Sequence, residues 1–253
     1  QVAESAGAQA IARPEALALG RERLAEIPDR QSSIKFRWLS SLEEIRVGGD
    51  LCIVATQSDA RCQIVHQLVE RLDYSRFLLE KVVAQSVPQY KSLMRLTEEK
   101  GLAVWVNCKA RAHFSHKRVK SNLDAADPFI LSVIGGNEGL ASNGIHAADL
   151  FVYYDGAEGI KSAGAQVDQI LHFSKRGNGM FDLSGTLHGY TEKESRFILS
   201  YAGDHTGPSH FSVSSSRYRA VFDDMTKWFF ESKEENGWCW QQVPFVANLM
   251  VSN

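Results

Sequence analysis

Lys81 and His146 are the residues of this chain with the most to offer a reaction that moves protons. Lys81 lies in the apolar run Leu78-Leu-Glu-Lys-Val82, and His146 ends the segment Asn143-Gly-Ile-His146. A lysine becomes a proton acceptor near neutral pH when desolvation or a neighbouring cation lowers its pKa. An imidazole both donates and accepts in that range. Alone, each has an ordinary explanation. A Glu-Lys pair often closes an apolar strand, and a histidine at the start of an apolar helix is often packed or hydrogen-bonded to backbone. Their order and surroundings carry the signal.

Other reactive residue types carry less. His113-x-x-His116 has a spacing that suits two metal ligands on a helix, but no third convergent ligand stands near it in the sequence, so no metal site is expected. The nearby cations Lys109, Arg111, Lys117, Arg118 and Lys120 read as a solvated face, with contact to a phosphorylated or nucleotide-linked sugar as the alternative. His205 and His210 fall in a glycine- and proline-containing stretch expected to be a loop. Cys52, Cys62, Cys108 and Cys239 show no metal spacing and read as buried free thiols in a reducing compartment.

The elements that must position Lys81 begin at residues 50–59, a short apolar run ending in small and polar residues, as a buried parallel strand and its exit loop do. Over residues 60–70, Cys62, Val65, Leu68 and Val69 recur at helical spacing. Residues 77–79 form a second buried strand with Glu80-Lys81 at its carboxyl end. From Ser86 onward Val87, Tyr90, Leu93, Met94 and Thr97 mark a helix face that stops at Lys100-Gly101, and residues 102–106 form another apolar strand. Strand, helix, strand, helix, strand is half of a doubly wound sheet. Such sheets bind ligands at the carboxyl ends of their strands, so Thr56 and Lys81 are expected to face one crevice.

These residues resemble the Gfo/Idh/MocA oxidoreductases, which include glucose-fructose oxidoreductase and inositol dehydrogenase. The family carries a strand ending in Ala-Thr-Pro, a Glu-Lys-Pro at the end of the next, an Asn and an Arg after the following strand, and a Gly-Gly segment before a helix with an Asp-x-x-x-His pattern. The matching positions here are Ala55-Thr56-Gln57, Glu80-Lys81-Val82, Asn107 with Arg111, and Gly135-Gly136 leading to Ser142-Asn143-Gly144-Ile145-His146. The likeness runs from about residue 50 to about residue 155 and more loosely beyond. Gln57 and Val82 replace prolines, Arg61 stands where a histidine is frequent, and Ser142 or Asn143 stands in place of the aspartate.

The family opens with a strand and a Gly-x-Gly-x-x-Gly turn whose glycines let the backbone approach a cofactor pyrophosphate. This sequence has no such motif. Residues 1–7 resemble the tail of a first helix, so the strand and turn before it are expected to be missing from the sequence. Residues 8–12 then form a short strand, and Pro14 opens a helix. Arg13, close to the end of that strand, is either a contact for a 2′-phosphate, which leans towards NADP, or a solvated helix-start residue.

Beyond residues 107–113 the pattern changes to period-two alternation with turn signals such as Gly177-Asn-Gly179. Strands are expected over 129–134, 164–173, 181–190, 195–202, 211–216 and 218–223, with one helix over about 144–154 packed on one face. Trp228, Phe229, Phe230, Trp238 and Trp240 look like strand packing. The expected fold class is α/β plus α+β, with a Rossmann-type parallel-sheet domain over 1–109 and a domain with a large open antiparallel sheet over 110–253. The resemblance implies that this sheet also mediates homo-oligomer contact.

A net charge of -2 and a pI near 6.5 argue against general nucleic-acid affinity, and no apolar run is long enough to cross a bilayer. A cytoplasmic enzyme without nucleic-acid or membrane partners is the expectation. The resemblance implies NAD or NADP as cofactor and a sugar, polyol or nucleotide-sugar substrate. It places Lys81 and His146 in catalysis, Ala55, Thr56, Gln57, Glu80, Lys81 and Arg13 at the cofactor, and Asn107, Arg111 and Asn143 at the substrate. The alternative is a catalytically inactive relative that binds a dinucleotide or sugar and acts as a sensor.

Overall fold

The structure, a computed structural model, describes residues 7–12, 14–26, 35–173, 180–205 and 207–245. Arg13, the glycine turn at 177–179 and residues 1–6 of the expected helix tail lie outside the described residues. The chain divides into two compact units, the first comprising residues 1–79 and 84–105, the second residues 80–83 and 106–253.

In the first unit β1 (Gly7–Ile11) is followed by α1 (Pro14–Ala25) and β2 (Lys35–Leu39), and the two strands pair in parallel, Ala10 opposite Trp38. Gly7, expected at a helix end, opens β1. The strand at 35–39 carries Lys35 and Arg37 among its apolar residues, so no apolar run marks it in the sequence. A second sheet takes the order β3 (Cys52–Val54), β4 (Arg76–Glu80), β5 (Ala103–Asn107), with α2 (Ser58–Arg71) and α3 (Val87–Lys100) as the connections. The expected strand–helix alternation is present, but the strands are covered on one face. Val54, Phe77 and Leu79 are buried, whereas Ile53 is 64% and Trp105 52% exposed.

Helix α3 shows a related departure. It buries Leu93 and Leu96 and leaves Val87, Tyr90 and Met94 of the expected face exposed. Its ends follow local chemistry. The Ser86 hydroxyl accepts from the Gln89 N–H, and Gly101 stops the helix in the left-handed conformation at φ 61°. A Cβ at Gly101 would meet nothing within 4 Å, so Gly101→Ala should cost only the conformational term, about 1–2 kcal/mol. Chemical denaturation would check it, and an unchanged midpoint would contradict the cap.

The second unit runs α4 (Phe114–Asn122), β6 (Ile130–Gly135), α5 (Leu140–Asp155), β7 (Lys161–Val167), β8 (His172–Phe173), β9 (Phe181–Asp182), β10 (Gly185–Tyr190), β11 (Arg196–Tyr201), β12 (His210–Ser214), β13 (Tyr218–Asp223), β14 (Trp228–Lys233) and β15 (Gln241–Gln242). Eight of these strands form one sheet in the order β15-β14-β13-β12-β6-β11-β10-β7, and β8 and β9 form a separate hairpin. The sheet is mixed rather than wholly antiparallel. β6 lies parallel to β11, Leu131 opposite Phe197, because the chain leaves β6 through α5 before re-entering the sheet. The strand expected over 164–173 is broken between β7 and β8, and His210 opens β12 instead of lying in a loop.

Period-two alternation decides which face is dry. Leu131, Val133, Phe197, Leu199, Val213, Ala220, Phe222 and Phe229 are buried and meet Val119 of α4 and Ala147, Leu150, Phe151 and Tyr154 of α5. Two helices therefore pack here, where one was expected. Phe211, Phe222 and Phe229 stack across three neighbouring strands with centroids 5.1 and 5.0 Å apart. Gly144 marks the close approach of α5, since a Cβ there would lie 2.9 Å from Leu199 Cδ2. Ile130, Ile134, Tyr190, Ile198 and Phe230 stand exposed. Trp238 and Trp240 lie outside the strands, Trp238 at φ 62° under the Arg219 guanidinium at 4.3 Å. All four cysteines are free, but Cys239 is exposed, contrary to the expectation of four buried thiols. No helix among the described residues is long and apolar enough to cross a membrane.

Candidate functional site

Lys81 follows directly from β4, and its backbone N–H donates to the Glu80 carboxylate at 3.1 Å. The other Glu80 oxygen accepts from Asn107 Nδ2 at 2.9 Å, so the acid holds together the ends of two strands. The Lys81–Val82 peptide bond is cis. The Lys81 side chain is only 7% exposed. Its Nζ donates to the Ser142 carbonyl at 3.1 Å and to Asn143 Oδ1, and Asn143 Nδ2 donates in turn to the Glu138 carbonyl. A buried ammonium is tolerated only when such acceptors replace water.

Helix α5 supplies the other half. It starts at Leu140, four residues earlier than expected, because the Asp182 carboxylate accepts from the Ala141 N–H at 2.9 Å and the Ser142 N–H at 3.3 Å. That cap comes from a strand forty residues further along and leaves no local signature. His146 thus lies in the second turn, not at the helix start. Asn143, His146 and Asp149 recur at a spacing of three and share one face.

His146 is half-buried, and its Nδ1 is buried with no hydrogen-bond partner among the described residues. Burial, reinforced by the Lys81 charge, pushes its pKa down to about 4. The imidazole is therefore neutral at physiological pH. An NMR titration should place its midpoint near 4, and a midpoint at the ordinary 6.5 would contradict this environment. The unfolded chain takes up this proton at higher pH than the folded one. The group therefore lowers stability progressively as pH falls from 6.5 towards 4.

Arg111 donates from Nε and from one terminal nitrogen to the two Asp149 oxygens at 2.8 and 2.6 Å, and lies 5.4 Å from the Tyr153 ring. The bidentate geometry fixes the short helical turn after β5 to α5. Asp149 was not legible as a site residue, because an acid within an apolar helix has no meaning until its partner is known. The expected solvated cation face is also corrected. Arg118 pairs with the buried Glu231 at 2.6 and 2.8 Å, and Lys120 donates to the Tyr154 carbonyl at 2.8 Å.

In the first unit, Ala55, Thr56 and Gln57 form the turn between β3 and α2. The Thr56 hydroxyl is buried with no hydrogen-bond partner among the described residues. The buried Arg61 folds back from α2 and donates to the Thr56 carbonyl, which holds the turn. The sequence offered Arg61 only as a departure from the family pattern. In the second unit hydrogen bonds thus link Glu80, Lys81, Asn107 and Asn143, the Lys81 charge reaches His146, and Arg111 pairs with Asp149 on the same helix as His146; the first unit holds residues 55–57, and Arg13 is outside the described residues.

No family model and no curated protein matches the chain. Solved structures match along nearly all of it. An oxidoreductase from Agrobacterium radiobacter in complex with NAD+, L-tartaric acid and magnesium is 14% identical, with 97% of this chain and 73% of that one covered at a TM-score of 0.70. UDP-N-acetylglucosamine 3-dehydrogenase GnnA from Acidithiobacillus ferrooxidans is 10% identical, with coverage of 96% and 83% and a TM-score of 0.68. A super-repressor mutant of Gal80p from Saccharomyces cerevisiae is 14% identical, with coverage of 95% and 71% and a TM-score of 0.71. At such identities the likeness is one of fold, and the fold is that of the Gfo/Idh/MocA-type oxidoreductases.

Proposed function

We propose that this chain is an NAD(P)-dependent oxidoreductase that moves a hydride between a nicotinamide and a hydroxyl-bearing carbon of a sugar, polyol or nucleotide-sugar. The observation that carries this reading is the buried Lys81 amine held by Ser142 and Asn143 beside a neutral His146 with an unpartnered Nδ1. The likeness to an NAD+ complex and to a UDP-sugar dehydrogenase supports the choice of chemistry. The unpartnered Thr56 hydroxyl fits a polar cofactor group, so Ala55, Thr56 and Gln57 would hold the dinucleotide together with Glu80 and Lys81. When bound, the nicotinamide supplies the hydride acceptor.

The chain's own residues supply the rest. Lys81, in its neutral form after the resting ammonium has released a proton to solvent, takes the hydroxyl proton as the carbinol carbon is oxidised, and returns it in the reverse direction. His146, neutral at working pH, binds the same hydroxyl or relays its proton through Nδ1. Asn107, Arg111 and Asn143 set the substrate hydroxyls, their own positions fixed by Glu80, Asp149 and Lys81. In this reading residues 1–109 form the dinucleotide-binding domain and 110–253 the substrate and oligomerisation domain, in a cytoplasmic enzyme. The exposed apolar row Ile130, Ile134, Ile198 and Tyr190 supports a homo-oligomer through the open sheet face.

The test is formation of NADH or NADPH from a panel of sugars, polyols and nucleotide-sugars. Turnover with any of them supports the reading. Dinucleotide or sugar binding without turnover across the panel would favour the second reading, a sensor, which the likeness to a super-repressor supports.

A further inference from the structure

The His113-x-x-His116 pair lacks a third ligand in its own stretch of sequence, and the fold supplies one. Asp224, in the turn between β13 and β14, places Oδ2 3.2 Å from His113 Nδ1 and 2.9 Å from His116 Nε2. Among the described residues this is the one group of three His, Cys, Asp or Glu side chains whose ligand atoms converge, all within 4.8 Å of one another. We propose that His113, His116 and Asp224 form a binding site for a borderline divalent metal ion, zinc above all, that clamps the start of α4 to the β13–β14 turn.

Three observations converge on this assignment. The donor set of two imidazole nitrogens and one carboxylate oxygen suits zinc and its transition-metal neighbours and is poor for magnesium or calcium. Bonds of 2.0–2.2 Å in a tetrahedron put neighbouring donor atoms about 3.3 Å apart, and Asp224 Oδ2 lies within a few tenths of an ångström of that distance from both imidazole nitrogens, with all three atoms inside 4.8 Å.

The surroundings are those of a ligand site as well. His116 is 1% exposed, and its Nδ1 meets the buried Tyr154 hydroxyl at 2.5 Å, the outer partner that orients a ligating histidine. His113 Nε2 is buried with no partner among the described residues, so nothing prevents its proton from residing there while Nδ1 binds the ion. Ser115 Oγ, 2.5 Å from the other Asp224 oxygen, holds the carboxylate in place, and the Phe211 and Phe222 rings lie edge-on to His116 at 5.1 and 5.3 Å. A fourth position is left for water. Without metal, the same atoms hydrogen-bond to one another, which keeps the site assembled.

Tag-free full-length protein, stripped with a chelator and reloaded with zinc, should retain one ion per chain through gel filtration, as measured by elemental analysis. Reloading with cobalt should give the intense visible bands of four-coordination, and either metal should raise the thermal midpoint. Tyr154→Phe should weaken zinc binding about 10-fold, as loss of an outer-shell partner does. His113→Gln and Asp224→Asn should weaken it by more than about 100-fold. Asp224→Asn also removes a half-buried charge that anchors α4. His113→Gln, at a partly accessible position, therefore keeps the test decisive if the asparagine variant does not fold. Wild-type protein that retains no more zinc than His113→Gln, or a folded His113→Gln with wild-type affinity, would overturn the proposal.

Discussion

Lys81→Met is expected to lower turnover by about two to four powers of ten while leaving dinucleotide affinity within a small factor of the wild type. Methionine matches the length and buried volume of the lysine stem, so the pocket is filled and only the amine is lost. Three consequences follow from the contacts of Nζ. The proton acceptor disappears, Asn143 loses the donor that orients its carboxamide, and the positive charge that helps lower the His146 pKa is removed. The midpoint of His146, near 4 in the wild type, should therefore rise, though not to 6.5, because burial is the larger cause and remains. Because the amine acts on the reacting hydroxyl, kcat and kcat/KM should fall together. Steady-state kinetics, dinucleotide titration and the NMR midpoint read these effects separately. Unchanged turnover together with the expected rise at His146 would remove Lys81 from the chemistry without disputing the geometry.

The parts of this site that the sequence revealed are those made by local pattern. Lys81 could be placed because an apolar strand ends just before it, and α3 because Ser86 and Gly101 bracket it. What stayed hidden was long-range. The start of α5 is set by Asp182, the orientation of the turn after β5 by Asp149, and the turn at Thr56 by an arginine that folds back from the following helix. Each is a polar residue whose partner lies on another element, and hydrophobic periodicity is blind to such pairs. The same limit hid Asp224 from His113 and His116. The mixed character of the large sheet was also out of reach, since alternation along β6 and β11 is the same whether the strands run parallel or antiparallel. The one-sided burial of β3 and β5 escaped for a different reason. A continuous apolar run predicts two dry faces, yet whether both are covered depends on which helices the fold sets against them.

Phe151→Ala should be strongly destabilising while leaving every polar contact of the site untouched. The ring is 0% exposed, stacks on Phe197 at 5.3 Å and meets Phe129 edge-on at 5.5 Å, so it pins α5 to β11 and to the segment that enters β6. Truncation removes the ring's burial and leaves a cavity that rigid sheet neighbours cannot fill, a loss of about 3–5 kcal/mol. For a chain of this size that corresponds to a fall of about 10 °C in the unfolding midpoint. The functional effect follows from where the helix leads. Asn143, His146 and Asp149 all ride on α5, and a shift of about 1 Å in a positioning element can cost about 100-fold in rate. The variant should therefore lose turnover at temperatures well below its own midpoint. Phe151→Leu, which keeps much of the packed volume, should lose far less of both. Thermal unfolding and kinetics on the pair test this coupling. A Phe151→Ala protein that unfolds about 10 °C lower but turns over at the wild-type rate would show that the Lys81 and Arg111 contacts alone hold the working face of α5 in register.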